Sequence, residues 1–133
     1  MGRWLQWKTA SVEIERSPEE IYDYVVNPEH FPEWATSFCL AVRKSGDGWS
    51  IDTTRGEMNL RFAERNPYGI MDHYVKAASG PELLTPARVV PSVSGSWVIM
   101  TMIRPTDRED PVFALDFRDP ERDLQTLKHV LER

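Results

Sequence analysis

The sequence predicts an α+β fold: an antiparallel sheet of seven strands, two short helices after the first strand, and one longer helix at the end. Three observations predict it. Between residues 38 and 104, clusters of Gly, Pro, Ser, Asn and Asp recur about every ten positions, the spacing of a strand meander. The stretch SPEE at residues 17–20 is a helix start that follows directly on an alternating segment. Residues 119–133, DPERDLQTLKHVLER, carry leucines at helical spacing behind a cap and a proline.

Residues 4–16, WLQWKTASVEIER, end with Val12 and Ile14 alternating against Ser11, Glu13 and Glu15, which is the period of a half-buried strand. Ser17 is then an N-cap, Pro18 suits the first helical position, and Glu20 stands where it closes a capping box. Ile21, Tyr24 and Val25 share one face of this helix. Asn27-Pro28 stops it and opens the next, EHFPEWA, whose apolar side is Phe31, Trp34 and Ala35. Six strands follow: SFCLAVRK, WSIDTTR, EMNLRFAER, IMDHYVKAA, LLTPARVV and SWVIMTMIR. The links between them (SGDG, Gly56, NPYG, SGPE and PSVSG) are short, which favours antiparallel neighbours. Past Arg104-Pro105, REDPVFALDF has a weak helical pattern. In the last segment Asp119 caps, Pro120 opens, and Leu124, Leu127 and Leu131 form the stripe. A proline inside a helix costs about 3 kcal/mol and a hydrogen bond, so Pro120 predicts a discontinuity between Phe117 and Glu121.

Composition narrows the function. At 133 residues the length suits one domain spanning 1–133, long enough for a sizeable core. Sixteen Lys and Arg against 21 Asp and Glu give a charge of −5, and the basic residues are scattered, so no nucleic-acid partner is expected. Apolar runs are too short for a membrane span and no signal region follows Met1. Cys39 has no partner for an internal disulfide, which suits a cytoplasmic location; beside Phe38 and Leu40 it reads as structural. His30, His73 and His129 lack metal-ligand spacing, and CxxC, GxSxG, P-loop and GxGxxG motifs are missing, so neither a metal nor another cofactor is expected.

Taken in order, SPEEIYDYVVNPEHFPEW, RFAERNPYGIMDHYV, PARVVPSVSGSWVIMTMIR and DLQTLKHVLE resemble the START-related helix-grip superfamily, also called SRPBCC, and within it the polyketide cyclase/dehydratase-like branch. The resemblance covers nearly the whole chain. It implies a curved sheet whose concave face is covered by the C-terminal helix, with an elongated pocket between them for a hydrophobic or amphipathic small molecule such as a lipid, polyketide, sterol or quinone. Members include carriers, sensors and enzymes. The chain departs from the pattern at Pro120, where similar proteins continue a helix.

Asp72 and His73 are the acid/base candidates. They are consecutive in IMDHYVKAA, so in a regular strand they point to opposite faces and cannot act as a dyad without a bulge. A symmetric SGPE turn puts Asp72 and Tyr74 on one face with Ala87 and Val89. A similar SVSG turn adds Val98, Met100 and Met102 to it. That apolar set is the expected concave face, with His73, Arg88, Trp97 and Ile99 on the other; a one-residue shift reverses the assignment. The candidate ligand-binding residues are thus Asp72, Tyr74, Arg88, Val98, Met100, Met102 and Trp34. Each has a structural reading too: Asp72 and His73 as strand-to-strand hydrogen bonds, Arg88 as a cross-strand ion pair, and Trp34, Tyr74 and the methionines as packing. Three functions are compatible: binding of a hydrophobic small molecule, a cyclase or dehydratase using Asp72 or His73 with Arg88 or Tyr74 at an enolate oxygen, and a co-chaperone-like interaction domain.

Overall fold

The computed structural model describes residues 5–105 and 119–133. Strand β1 (Leu5–Ile14) leads into helix α1 (Pro18–Val25), a 3-10 turn (Pro28–His30) and the single-turn helix α2 (Phe31–Trp34). Strands β2 (Cys39–Ser45), β3 (Gly48–Thr53), β4 (Gly56–Phe62), β5 (His73–Ala77), β6 (Glu82–Thr85), β7 (Ala87–Pro91) and β8 (Ser96–Pro105) follow, and helix α3 (Pro120–Leu131) comes last. Every strand pair is antiparallel.

The local signals act much as the residues require. The Ser17 hydroxyl accepts from the Glu20 N–H at 3.1 Å, with Pro18 as the first helical residue. Glu20 turns its carboxylate to Arg16, 3.6 Å away. Tyr22 takes the buried place expected of Tyr24, because the helix packs between Ile21 and Val25. Asn27 caps the next turn by accepting from Glu29 N–H. Asp119 caps α3 by accepting from Arg122 N–H at 3.2 Å, and the helix begins at Pro120. Both the helical pattern over 108–117 and the N-terminal side of the expected discontinuity lie outside the described residues.

The strand count differs from expectation. The described residues form eight strands in two sheets, ordered β1-β8-β7 and β2-β3-β4-β5-β6, instead of seven in one. Proline is the reason: LLTPARVV was expected as one strand, but Pro86 has no N–H to give to a ladder, and the strand divides there into β6 and β7. The seam is stitched by other bonds. The Pro86 carbonyl accepts from Thr101 N–H, and Met71 N–H and Val89 N–H donate to Ala87 and Gly69 carbonyls. Asp72 sits at this seam. Its carbonyl accepts from Ala63 N–H at 2.8 Å and its carboxylate from Ala87 N–H at 3.0 Å.

The chain also approaches itself closely at Gly69, where φ is +73° and an added Cβ would lie 2.4 Å from the Val89 carbonyl oxygen. Only glycine fits there. The Asn66 side chain orders this turn, accepting from Tyr68 and Ile70 N–H groups and donating to Glu64 and Ile70 carbonyls.

One face of the strands carries Ala10, Val12, Ile14, Ile51, Leu60, Val75, Val89, Val98 and Met100, all buried. Helices α2 and α3 cover this inner face, with Phe31 and Trp34 from α2 and Leu124 and Leu127 from α3 fully enclosed. Each such side chain contributes roughly 1.5–3 kcal/mol by leaving water. Cys39 is buried in this core, its thiol directed at the Ala41 carbonyl, and Leu40 beside it is the extra residue of a bulge in β2.

Candidate ligand site on the inner face

His73 opens β5 and is 1% exposed. It alternates with half-buried Tyr74 and buried Val75, so its ring enters the core. There it meets Phe31 at 5.5 Å and Trp34 at 6.3 Å between ring centroids, both nearly perpendicular, and Phe62 at 5.1 Å. Nδ1 lies 3.2 Å from the Met71 carbonyl. A carbonyl only accepts, so Nδ1 carries a proton and donates it there. Thr85, directly across the ladder from His73, is also buried, and its Oγ1 lies 3.8 Å from the Met102 sulfur.

Asp72 and Tyr74 take the other side of the alternation. Tyr74 lies under the Arg61 guanidinium, 3.9 Å from the ring centroid, and Arg61 forms a two-pronged ion pair with Glu82. Arg88 is exposed. The structure therefore groups Trp34, Val98, Met100 and Met102 with His73 on the inner face and leaves Asp72, Tyr74 and Arg88 off it. The expected face assignment is corrected in half: Val98, Met100 and Met102 do share a face with Ala87 and Val89, but His73, not Asp72, joins them.

The cause is a loop length. Lys76 pairs with Glu82, leaving five residues between them, so partners across β5 and β6 sum to an even number: His73 with Thr85, Tyr74 with Leu84. A symmetric four-residue turn would have given odd sums. The β7–β8 hairpin does have odd sums, Ala87 with Met100 and Val89 with Val98. Thr85 was missed for the same reason, and Phe62 because its pairing with His73 depends on the β4–β5 register across residues 63–72.

Among the described residues, two depressions lie on the outside. A groove of about 630 Å³ runs between α1 and β7, lined by Tyr22, Arg65, Tyr68 and Arg88 among others. A smaller one, about 420 Å³, surrounds Trp49, Arg61 and Tyr74 on the outer sheet face. Among the described residues no cluster of three or more His, Cys, Asp or Glu could hold a metal ion, and no helix is long and apolar enough to cross a membrane.

Helix α3 is fixed over the inner face from both ends. At its start Asp123, fully buried, accepts from the Ser37 N–H at 3.0 Å and the Ser37 hydroxyl at 2.9 Å, while that hydroxyl accepts from Asp119 N–H. At its end Glu132 accepts from Glu15 N–H and from Lys128, both at 2.8 Å, and Lys128 also donates to the Glu13 carbonyl. The Lys128 ammonium, followed by the Glu15 N–H, holds the Glu132 carboxyl below its usual range.

No family model and no curated protein matches the chain. Solved structures do. The truncated norcoclaurine synthase of Thalictrum flavum superposes with a TM-score of 0.70 at 16% identity, covering 100% of this chain and 98% of that one. A point mutant of the same synthase, in complex with a transition-state analogue, gives 0.71 at 17% identity, with 99% and 98% covered. A Bacillus thuringiensis protein gives 0.70 at 18% identity, with 96% and 100% covered. The fold is the helix-grip fold. At these identities the likeness extends to the fold and no further.

Proposed function

We propose that this protein binds a hydrophobic or amphipathic small molecule between the inner face of the sheet and α3, with His73 as a polar point on a mostly apolar wall. The observation that carries this reading is the burial of the His73 imidazole among Phe31, Trp34 and Phe62. A leucine or phenylalanine would fill that place at lower desolvation cost. An imidazole with aromatic edges around it suits a flat ligand that needs one polar contact. A protein of the same fold, the norcoclaurine synthase mutant, is recorded in complex with a transition-state analogue, which supports small-molecule binding by this architecture.

Acid/base catalysis is the second reading, and His73 alone would carry it. The Asp72 carboxylate is engaged with Ala87 N–H on the far side of the alternation, so the pair offers no dyad.

Methionine methyl groups give the test. Met71, Met100 and Met102 line the inner face and are buried. Titration of ¹³C-methyl-Met protein with 2-acetylnaphthalene should shift all three, and Met100→Trp should weaken binding by at least tenfold while Arg88→Ala leaves it unchanged. Saturable binding that moves none of these methyls and depends on Arg88 would place the ligand in the α1–β7 groove and overturn the reading.

A further inference from the structure

The buried hydroxyls of this protein are not equivalent. Ser50 donates to Glu57 at 2.7 Å, Thr53 to the Gly56 carbonyl at 2.6 Å, and Ser96 to the Arg16 carbonyl at 2.8 Å. Each has a strong oxygen acceptor. Thr85 is as deeply placed, at 5% exposure, yet among the described residues its hydroxyl reaches only the Met102 thioether at 3.8 Å. Sulfur of this kind is a weak acceptor. A buried O–H without a good acceptor is destabilising, and valine has nearly the same shape without that cost.

Thr85 is also the ladder partner of His73, so the hydroxyl and the imidazole lie side by side on the inner face. The buried residues described include no lysine or arginine. Among the described residues, the side chains that flank His73 and Thr85 (Phe31, Trp34, Phe62 and Met102) carry no positive charge to hold a carboxylate ligand, whereas a neutral carbonyl oxygen needs only a donor. The aromatic rings of Phe31, Trp34 and Phe62 beside His73 suit an aromatic body.

We infer that Thr85 is the donor that selects the ligand: the inner face takes a neutral aromatic ketone or related carbonyl compound, and the Thr85 O–H exchanges the Met102 sulfur for the ligand oxygen. This assignment rests on the binding reading above and adds the chemical class.

Two probes of one shape isolate the contribution. 2-Acetylnaphthalene carries a carbonyl, and 2-isopropenylnaphthalene replaces that oxygen with a methylene. Calorimetric titration of wild-type protein, Thr85→Val and Thr85→Ser is the experiment. Expected is a loss of about five- to tenfold in ketone affinity for Thr85→Val, the worth of one neutral hydrogen bond, with the alkene unchanged and Thr85→Ser retaining the preference. If both probes bind but Thr85→Val leaves the ketone-to-alkene ratio as in wild type, Thr85 is not the donor and the binding reading stands without it. If wild-type protein binds neither probe, the binding reading itself fails, and the assignment with it.

Discussion

At residue 72 a carboxylate in a strand-like segment invites a catalytic role, and its bonds give it a structural one. Proline 86 breaks the ladder, and the next N–H, that of buried Ala87, is taken by Asp72 across the seam. Removing the carboxylate leaves the N–H of buried Ala87 without this acceptor in a part-buried seam, which costs about 1–3 kcal/mol. Asp72→Ala is therefore expected to lower the urea midpoint with an unchanged slope. Asp72→Asn, which keeps an acceptor oxygen, should cost clearly less; equal losses would show that the bond to Ala87 is not what Asp72 contributes. The neighbouring residue has the complementary character. His73 is polar, enclosed, and surrounded by aromatic rings, so its contribution is sought in binding before stability.

At the scale of elements, α3 depends on contacts that its leucine stripe does not reveal. Leu124 and Leu127 seat it, but Asp123 on Ser37 and Glu132 on Glu15 and Lys128 fix its two ends. The lower contact is pH-sensitive. The folded-state value of Glu132 is depressed by Lys128 and the Glu15 N–H, so its stabilisation is complete above the ordinary glutamate value of about 4.3 and is lost as the pH falls through the lowered folded value. The stability gap between wild type and Glu132→Gln, measured by urea unfolding, should hold from neutral pH to about 5 and shrink progressively as the pH falls below about 4.3. A gap independent of pH would mean that the carboxylate charge is irrelevant there.

At this scale, signals that act within one turn of helix were readable, whereas strand register was readable only where the turn had the symmetric length expected of it. Ser17-Pro18 and Asp119-Pro120 announce their helices because a cap acts within one turn. The β7–β8 register was readable because its turn leaves odd-sum partners. The β5–β6 register was not, since Ala77–Pro81 is one residue longer than a symmetric reading of SGPE allows, and one residue exchanges the two faces. That single step moved His73 inward and Asp72 outward. Pro86 was visible in the sequence, but whether it would interrupt a strand or lie at its edge depends on which neighbours its missing N–H would have met.

For the whole molecule, a ligand bound as proposed, between the inner face and α3, would be released when the helix opens. Helix α3 covers β1 and touches β8 and α2, so a molecule held beneath it would contact both the helix and the sheet. Such a ligand stabilises only the closed state. At a hundredfold excess over its dissociation constant the gain is about 2.7 kcal/mol. Local openings that lift α3 alone break the same site as global unfolding, so hydrogen exchange of α3 amides and of the central β8 amides should slow by the same factor when 2-acetylnaphthalene is added. A ligand in the groove beside α1 would behave differently. The groove lining includes Tyr68, Arg88 and Val90 but no residue of α3. Lifting the helix would then leave the bound molecule in place, and α3 exchange through that local opening would not slow while β8 exchange did. Amide exchange thus locates the ligand relative to the helix without any substitution in the core.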